Sequence, residues 1–475
     1  MLVQPRDNLA LMASDHAGTP QIGEKMRELT LTFGRVMKAK TAVHHRRKQS
    51  STSAGAVAAG DSPVQVSSAP REDTIDSYGF EISITVDERE DLERCAAQQA
   101  KQLGKWQECS VFQNILPPED RLKKLCRKGI PPQYRKWVWL EVSGAEKRRV
   151  AHGPAYYKAA IEAGRENAAC MHQIQLDVPR TFPSCPWVQS EPGQASLGRV
   201  LLAFSHHNPT VGYCQGMNYV AALLLVALGH DEEAAFWVLA SLIDDDRGIL
   251  YQDMYSKDLS GCHVEMRSLK ELVGLKLPRL AAHLEELHCD MSIVATDWFL
   301  CLFCTSLPAE TAIRVWDALL HEGTKVLFRV GLALLKMNEP LLLVADNPGD
   351  LLRVARNAAA DEFDRDELMH VAFDGLGSLP MEKIKRFRDT NQRKVDKEMA
   401  AREMRANLRA AVKEGYVLTE AEAELLKSEA EDDSEEGSED SGSRGGSSWK
   451  RLGTVLGERT KATLDAGKQK IKQLR

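Results

Sequence analysis

Nine consecutive residues, Val220 to Leu228, are all valine, alanine or leucine. A helix that is apolar on every side has no face to offer water, so it must run through the middle of a protein with other elements around it. The run is also well short of the roughly 20 residues needed to cross a bilayer, which makes it a core helix and not a membrane span. Its surroundings are legible nearby. Leu197, Val200, Leu201 and Phe204 recur at helical spacing, as do Phe236, Leu239, Ala240 and Ile243. Ala312, Val315, Trp316 and Leu319 repeat the pattern in a helix opened by Pro308 and closed near Gly323, and Val326, Val330, Ala333 and Met337 form another that ends before Pro340. No convincing alternating strand interrupts them, so the expected fold is all-α, a domain of packed helices.

The rest of the 475-residue chain divides by composition. Residues 1–80 are rich in Ser, Ala, Gly and Pro, with a basic cluster from Lys25 through Lys48, and read as a disordered arm. Residues 81–128 hold a lead-in helix over Val86–Trp106, with Leu92, Cys95, Ala96 and Leu103 on roughly one face. The compact unit spans 129–345, opening at Gly129-Ile130-Pro131-Pro132, where prolines suit a helix start and where Trp139 and Val142 face a core. A charged helical extension follows over 346–430, then an acidic Ser/Gly linker over 431–448 and a basic tail over 449–475.

With a formal charge of only −6, no overall field recruits nucleic acid, and none is expected as a partner. Ten cysteines without a regular framework, and no secretory segment at the start, set cytoplasmic location as the expectation. The basic tail, with apolar residues among its lysines and arginines, can lie on an anionic membrane surface, which would make the location peripheral at endomembranes. Phosphorylation of Ser434, Ser438 or Ser441 would oppose that contact.

Two polar side chains sit in constrained backbone just before the apolar run. Arg180 follows Pro179 and precedes Pro183 and Pro186, which pushes Val178 toward extended geometry and predicts a stiff, non-helical segment. Asp177, three residues earlier, can hold the guanidinium by a charge-assisted bond and aim it. A planar, permanent cation suits charge developing on a phosphoryl oxygen. For an isolated Asp-x-x-Arg a surface ion pair is the commoner meaning. Gln215 lies between Gly212 and Gly216, ahead of a helix start that favours anions. Its amide can both donate to and accept from a water, orienting it without acting as a base.

Gly129-Ile130-Pro131…Arg135…Trp139, Ile174-x-x-Asp177-x-x-Arg180 and Tyr213-Cys214-Gln215-Gly216-Met217-Asn218 resemble, in order and spacing, the three signature motifs of the TBC domain family of Rab GTPase-activating proteins. Trp298-Phe299…Phe303 and Arg314-Val315-Trp316-Asp317…Gly323…Phe328 resemble the second half of the same domain, and the similarity runs from about residue 114 to 395. The resemblance implies a two-finger mechanism in trans on a GTP-bound Rab, with GTP and Mg²⁺ carried by the partner. Arg180 would neutralise charge on the transferring phosphoryl group, and Gln215 would orient the attacking water. Asp177 and Tyr213 would position them, with Asn218, Arg135 and Trp139 as support. A non-catalytic TBC scaffold is the alternative. Which Rab is served is not written in these motifs.

Other chemistries are less well supported. No Gly-x-x-x-x-Gly-Lys-[Ser/Thr] loop occurs, so the nucleotide belongs to the partner. Cys301 and Cys304 have metal-ligand spacing without a second pair, and read as core thiols. Asp244-Asp245-Asp246 lacks the spacing of a calcium loop, so no metal is expected. Cys214 near His206 and His207 sketches a thiol nucleophile, yet no third group orients the base.

Overall fold

The computed structural model describes residues 70–108, 115–244, 248–413, 416–423 and 426. The acidic linker, the basic tail and Ser434, Ser438 and Ser441 lie outside them. The described residues belong to two compact units, divided in the chain between Gln392 and Arg393.

The first unit opens with an antiparallel hairpin, β1 (Glu72–Ile75) and β2 (Glu81–Ile84), registered with Ile75 opposite Glu81. Helices follow: α1 (Val86–Gln107), α2 (Glu119–Lys128), α3 (Pro132–Ser143), α4 (Ala145–His152), α5 (Tyr156–Gly164), α6 (Ala168–Asp177), α7 (Pro186–Gln189), α8 (Glu191–His207), α9 (Met217–Ala227) and α10 (Glu232–Ile243). Beyond them lie α11 (Ser260–Lys276), α12 (Pro278–Glu286), α13 (Ser292–Leu300), α14 (Ala309–Glu322), α15 (Lys325–Met337), α16 (Glu339–Leu342), α17 (Pro348–Ala360) and α18 (Arg365–His370). A π-helical segment, Val371–Gly375, ends α18, and α19 (Met381–Lys413) runs on into the second unit. In that unit the Thr419 and Glu422 side chains each accept from the other's backbone N–H, a reciprocal helix-start cap.

Local chemistry starts these helices as expected from the residues. Thr85 and Glu88 form a reciprocal cap on α1, Ser190 caps α8, and Asp231 caps α10. Pro132 supplies the first residue of α3, and Gly144, at φ 76°, ends it. The apolar run becomes α9, buried along almost its whole length and packed by α8 and α10. Helices α5 and α8 cross especially closely: a Cβ on Gly164 would lie 2.2 Å from the Leu202 carbonyl oxygen. Gly164→Ala is therefore expected to lower stability by about 1–3 kcal/mol, read as a drop in melting temperature with unchanged helical circular dichroism.

Three expectations change. Residues 72–75, within the segment read as an arm, form β1, because the hairpin docks on the helical unit: Ser77 donates to Glu310 through Oγ (2.7 Å) and N–H (3.1 Å). The buried side of α1 is Cys95, Gln102 and Trp106, while Ala96 faces out. The compact unit also continues past residue 345. Helix α17 packs on α13 and α15, and Arg388 is buried against Glu265 of α11 (3.0 Å).

Candidate functional site

Helix α6 ends in a single 3₁₀ turn, Val178–Arg180, whose geometry the prolines alone did not disclose. Val178 is helical (φ −56°, ψ −49°), not extended, because it caps α6 by donating its N–H to the Ile174 carbonyl and buries its side chain in the core. Packing and that capping bond outweigh the bias imposed by the following proline. The chain leaves the turn at Thr181 (ψ 118°) and then passes through Phe182 at φ 46°, a left-handed value rare for an aromatic residue.

Asp177, fully buried, is the centre of this turn. Its Oδ1 accepts from Arg180 Nη2 (2.7 Å), Arg180 Nε (3.0 Å) and Gln173 Nε2 (3.2 Å), and its Oδ2 accepts from the Tyr213 hydroxyl (2.6 Å). Burial, with the Asp177 bond and charge adding to it, pushes the Tyr213 phenol well up, so it stays a donor at neutral pH. Arg180 is thereby held along one edge of its guanidinium, and about a third of its side chain (36%) remains exposed. Its Nη1 has no bond among the described residues.

Gln215 stands on the neighbouring turn between Gly212 (φ 66°) and Gly216 (φ 105°), backbone that favours glycine. It is exposed, and its side chain has no partner among the described residues. One buried side chain ties the two turns together: Asn218 Nδ2 donates to Thr181 Oγ1 (2.8 Å), while its Oδ1 accepts from the Gly216 N–H (3.1 Å). Thr181 Oγ1 in turn donates to the Asp177 carbonyl (2.8 Å). The residue after Arg180 and the residue after Gln215 thus share one amide.

Arg135 and Trp139 belong to a second cluster, around Asp317 of α14. The buried Asp317 carboxylate accepts from Arg135 Nε (3.0 Å), Trp139 Nε1 (2.9 Å) and the Ile130 N–H (2.9 Å). The hairpin links the clusters. The Tyr78 hydroxyl bonds the Arg135 guanidinium, Glu81 N–H donates to the Ser184 carbonyl (2.7 Å), and Phe80 packs edge-on against Phe182 at 5.2 Å. Phe182 packs in the same way on Tyr219 of α9. Thr181, Phe182, Asp317 and the hairpin were not among the expected site residues. Asp317 stood inside a quoted motif and Thr181 directly after one, whereas nothing in residues 72–84 pointed to this role.

Cys214 and Asp244 are each tied into the protein, while Asp245 and Asp246 lie outside the described residues. Burial pushes the Cys214 thiol up to about 11, with Asp177 adding to it, which opposes a thiolate. His207 is bonded to the Tyr156 hydroxyl (2.7 Å) and Asp244 (3.1 Å). Asp244 also binds Asn208 (2.9 Å) and pairs with Arg148, leaving it committed to protein partners.

Residues 132–343 match the Rab-GTPase-TBC domain family. Human growth hormone-regulated TBC protein 1 is 33% identical over 343 residues, covering 69% of this chain and 97% of that protein. The chain belongs to the Rab-GTPase-TBC domain family. Mouse TBC1 domain family member 2A is 39% identical over 321 residues, and there the chain spans only 33% of the relative's length. The crystal structure of the Chlamydomonas flagellar RabGAP TBC domain superposes with a TM-score of 0.59 at 45% identity, covering 64% of this chain and all of that one. Arg180, Gln215 and Asp317 fall inside the matched TBC segment, and the hairpin falls before it.

The hairpin thus braces the Arg180 turn from outside the matched segment. Phe80→Ala is expected to cost about 3 kcal/mol of hairpin docking. Hydrogen exchange should speed up at the Thr181 and Cys185 amides, which bond Val178 and Phe182, while protection in α9 persists.

Proposed function

We propose that this TBC domain accelerates GTP hydrolysis on a Rab GTPase, with Arg180 and Gln215 acting in trans on nucleotide and Mg²⁺ held by the Rab. The observation that carries the reading is the pairing of two turns. Buried Asp177 holds one edge of Arg180, and Asn218 fastens that turn to the one bearing the exposed, unpartnered Gln215. A guanidinium held in this way meets developing phosphoryl charge with little reorganisation, and a free carboxamide can orient an attacking water. Tyr213 and Asn218 position these groups without touching the nucleotide. The protein supplies no covalent chemistry.

The test is phosphate release from a panel of GTP-loaded Rabs with wild type, Arg180→Ala and Gln215→Ala. Acceleration of one or a few Rabs by wild type, largely lost in both variants, supports the reading. Rabs that bind but are not accelerated would replace it with a non-catalytic TBC scaffold. By ending a Rab's GTP-bound state, the activity would act in vesicle trafficking.

A further inference from the structure

In the loop 76–80 that joins β1 to β2, Ser77 alone is exposed. Its hydroxyl donates to Glu310 Oε1 (2.7 Å) beside its own N–H (3.1 Å). The other oxygen of that carboxylate, Oε2, pairs with the buried Arg365 (2.6 Å). The residues after Ser77 carry the fastening inward: Tyr78 bonds Arg135, Phe80 packs on Phe182, and the Glu81 N–H meets the Ser184 carbonyl. The far end of the hairpin is held separately, by Arg71 on Glu88 (3.1 Å) and Asp361 (3.4 Å). A loss at the loop therefore opens the tip while α1 keeps its cap.

The docked loop already tolerates negative charge poorly. Burial, with the Glu310 charge adding to it, pushes the Asp76 carboxyl up to about 6, although it accepts from the Tyr78 and Phe80 N–H groups (2.9 Å each). The start of α14 favours an anion, and Glu310 in its first turn supplies one. The Ser77 hydroxyl fits because it brings a proton to Glu310. A phosphate in its place brings about 1.5–2 negative charges and no donor at neutral pH. Arg365 does not offset this, since it lies buried on the far oxygen of the same carboxylate. The approach to Ser77 is acidic, with Glu72, Asp73 and Asp76 and no basic residue after Arg71. Strand β1 is extended and, apart from Thr74, exposed. An extended acidic segment that ends on a serine suits a protein kinase with a basic substrate groove.

We propose that Ser77 is a phosphorylation site for an acid-directed protein kinase, and that the phosphate releases the loop from Glu310 and loosens the Arg180 turn. In the transfer, Ser77 Oγ bonds the γ-phosphorus of the kinase's nucleoside triphosphate while the bond from that phosphorus to the bridging oxygen breaks. The nucleoside diphosphate leaves, and the hydroxyl proton passes to the base of the kinase. The kinase takes the loop in its locally opened state, and the phosphate then opposes reclosing on Glu310.

The full chain, treated with ATP and casein kinase 1 as the acid-directed probe, should carry phosphate on Ser77 by mass spectrometry. Hydrogen exchange at the Thr181 and Cys185 amides should then speed up by about tenfold or more while α9 stays protected. Kinase-treated Ser77→Ala should exchange like untreated Ser77→Ala, which sets aside phosphates elsewhere in the chain. Ser77→Asp should speed the same amides, and by less when Glu310→Gln has removed the opposing charge. No phosphate on Ser77, unchanged exchange in the phosphorylated protein, or an equal effect of Ser77→Asp with and without the Glu310 charge would overturn the assignment. The consequence for GTP hydrolysis rests on the Arg180 reading: phosphorylation should lower the acceleration of a responsive Rab. The exchange readout needs no Rab, so the two failures differ. Unchanged exchange removes the modification site, whereas faster exchange with unaltered GTP hydrolysis counts against the catalytic reading of Arg180.

Discussion

Arg180→Ala is expected to lower the acceleration of GTP hydrolysis on the responsive Rab by about 10³-fold or more, roughly 4 kcal/mol of barrier. The size follows from what the side chain would do. A transferring phosphoryl group gains charge on its oxygens only near the transition state, and a held cation stabilises that state more than the bound ground state. Asp177 takes both Nε and Nη2 of Arg180 on one oxygen, which leaves Nη1 as the group free to meet the phosphate. Arg180→Lys should recover little, because an ammonium cannot hold Asp177 and reach outward at once. Single-turnover phosphate release over a range of TBC protein concentrations separates the possibilities. A fall in maximal rate at unchanged half-saturation marks transition-state stabilisation. A raised half-saturation with unchanged maximal rate would make Arg180 a docking residue and remove the catalytic reading.

That expectation began with residues visible in the sequence, and the reasons it stopped short are physical. The apolar run at Val220–Leu228 could only be a buried helix, and Gly212 and Gly216 marked backbone that other residues enter poorly. Asp177 and Arg180 were three apart, so their contact depended on local chain geometry. The geometry itself was misread: the prolines suggested an extended segment, and Val178 is helical because its side chain is buried and its N–H caps α6. Long-range partners were hidden for a different reason. Thr181 meets Asn218 across 37 residues and Phe80 meets Phe182 across 102, and a single sequence carries no local signal for either pairing. The hairpin itself was missed because its four-residue strands are too short to show alternation and owe their order to docking on helices.

The largest loss of stability is expected at Asp317, not at the pair that faces the partner. Its carboxylate is fully buried and accepts from the Arg135 guanidinium, the Trp139 indole and the Ile130 N–H, joining the start of α3 to α14. Asp317→Ala leaves the Arg135 guanidinium, itself only 2% exposed, without its carboxylate partner, and orphans two further donors. Breaking one side of a buried pair costs about 3–5 kcal/mol. The orphaned N–H groups add to this by an amount that does not sum simply, so a fall of about 10 °C or more in melting temperature is expected. Asp317→Asn keeps an acceptor and loses the charge, and should fall between the two. Arg135→Met with Asp317→Ala should regain part of the loss, since no unpaired charge is then left in the core. A single variant that melts like wild type would mean that Tyr78 and the Ile130 carbonyl, which Arg135 also bonds (2.6 Å), are enough to hold the guanidinium. If the loss is large, it should reach the candidate site. Arg135 holds Tyr78, Tyr78 belongs to the hairpin, and the hairpin braces Phe182. Faster exchange at the Thr181 amide in Asp317→Asn, at a temperature where α9 remains protected, is the measurement that would show that connection.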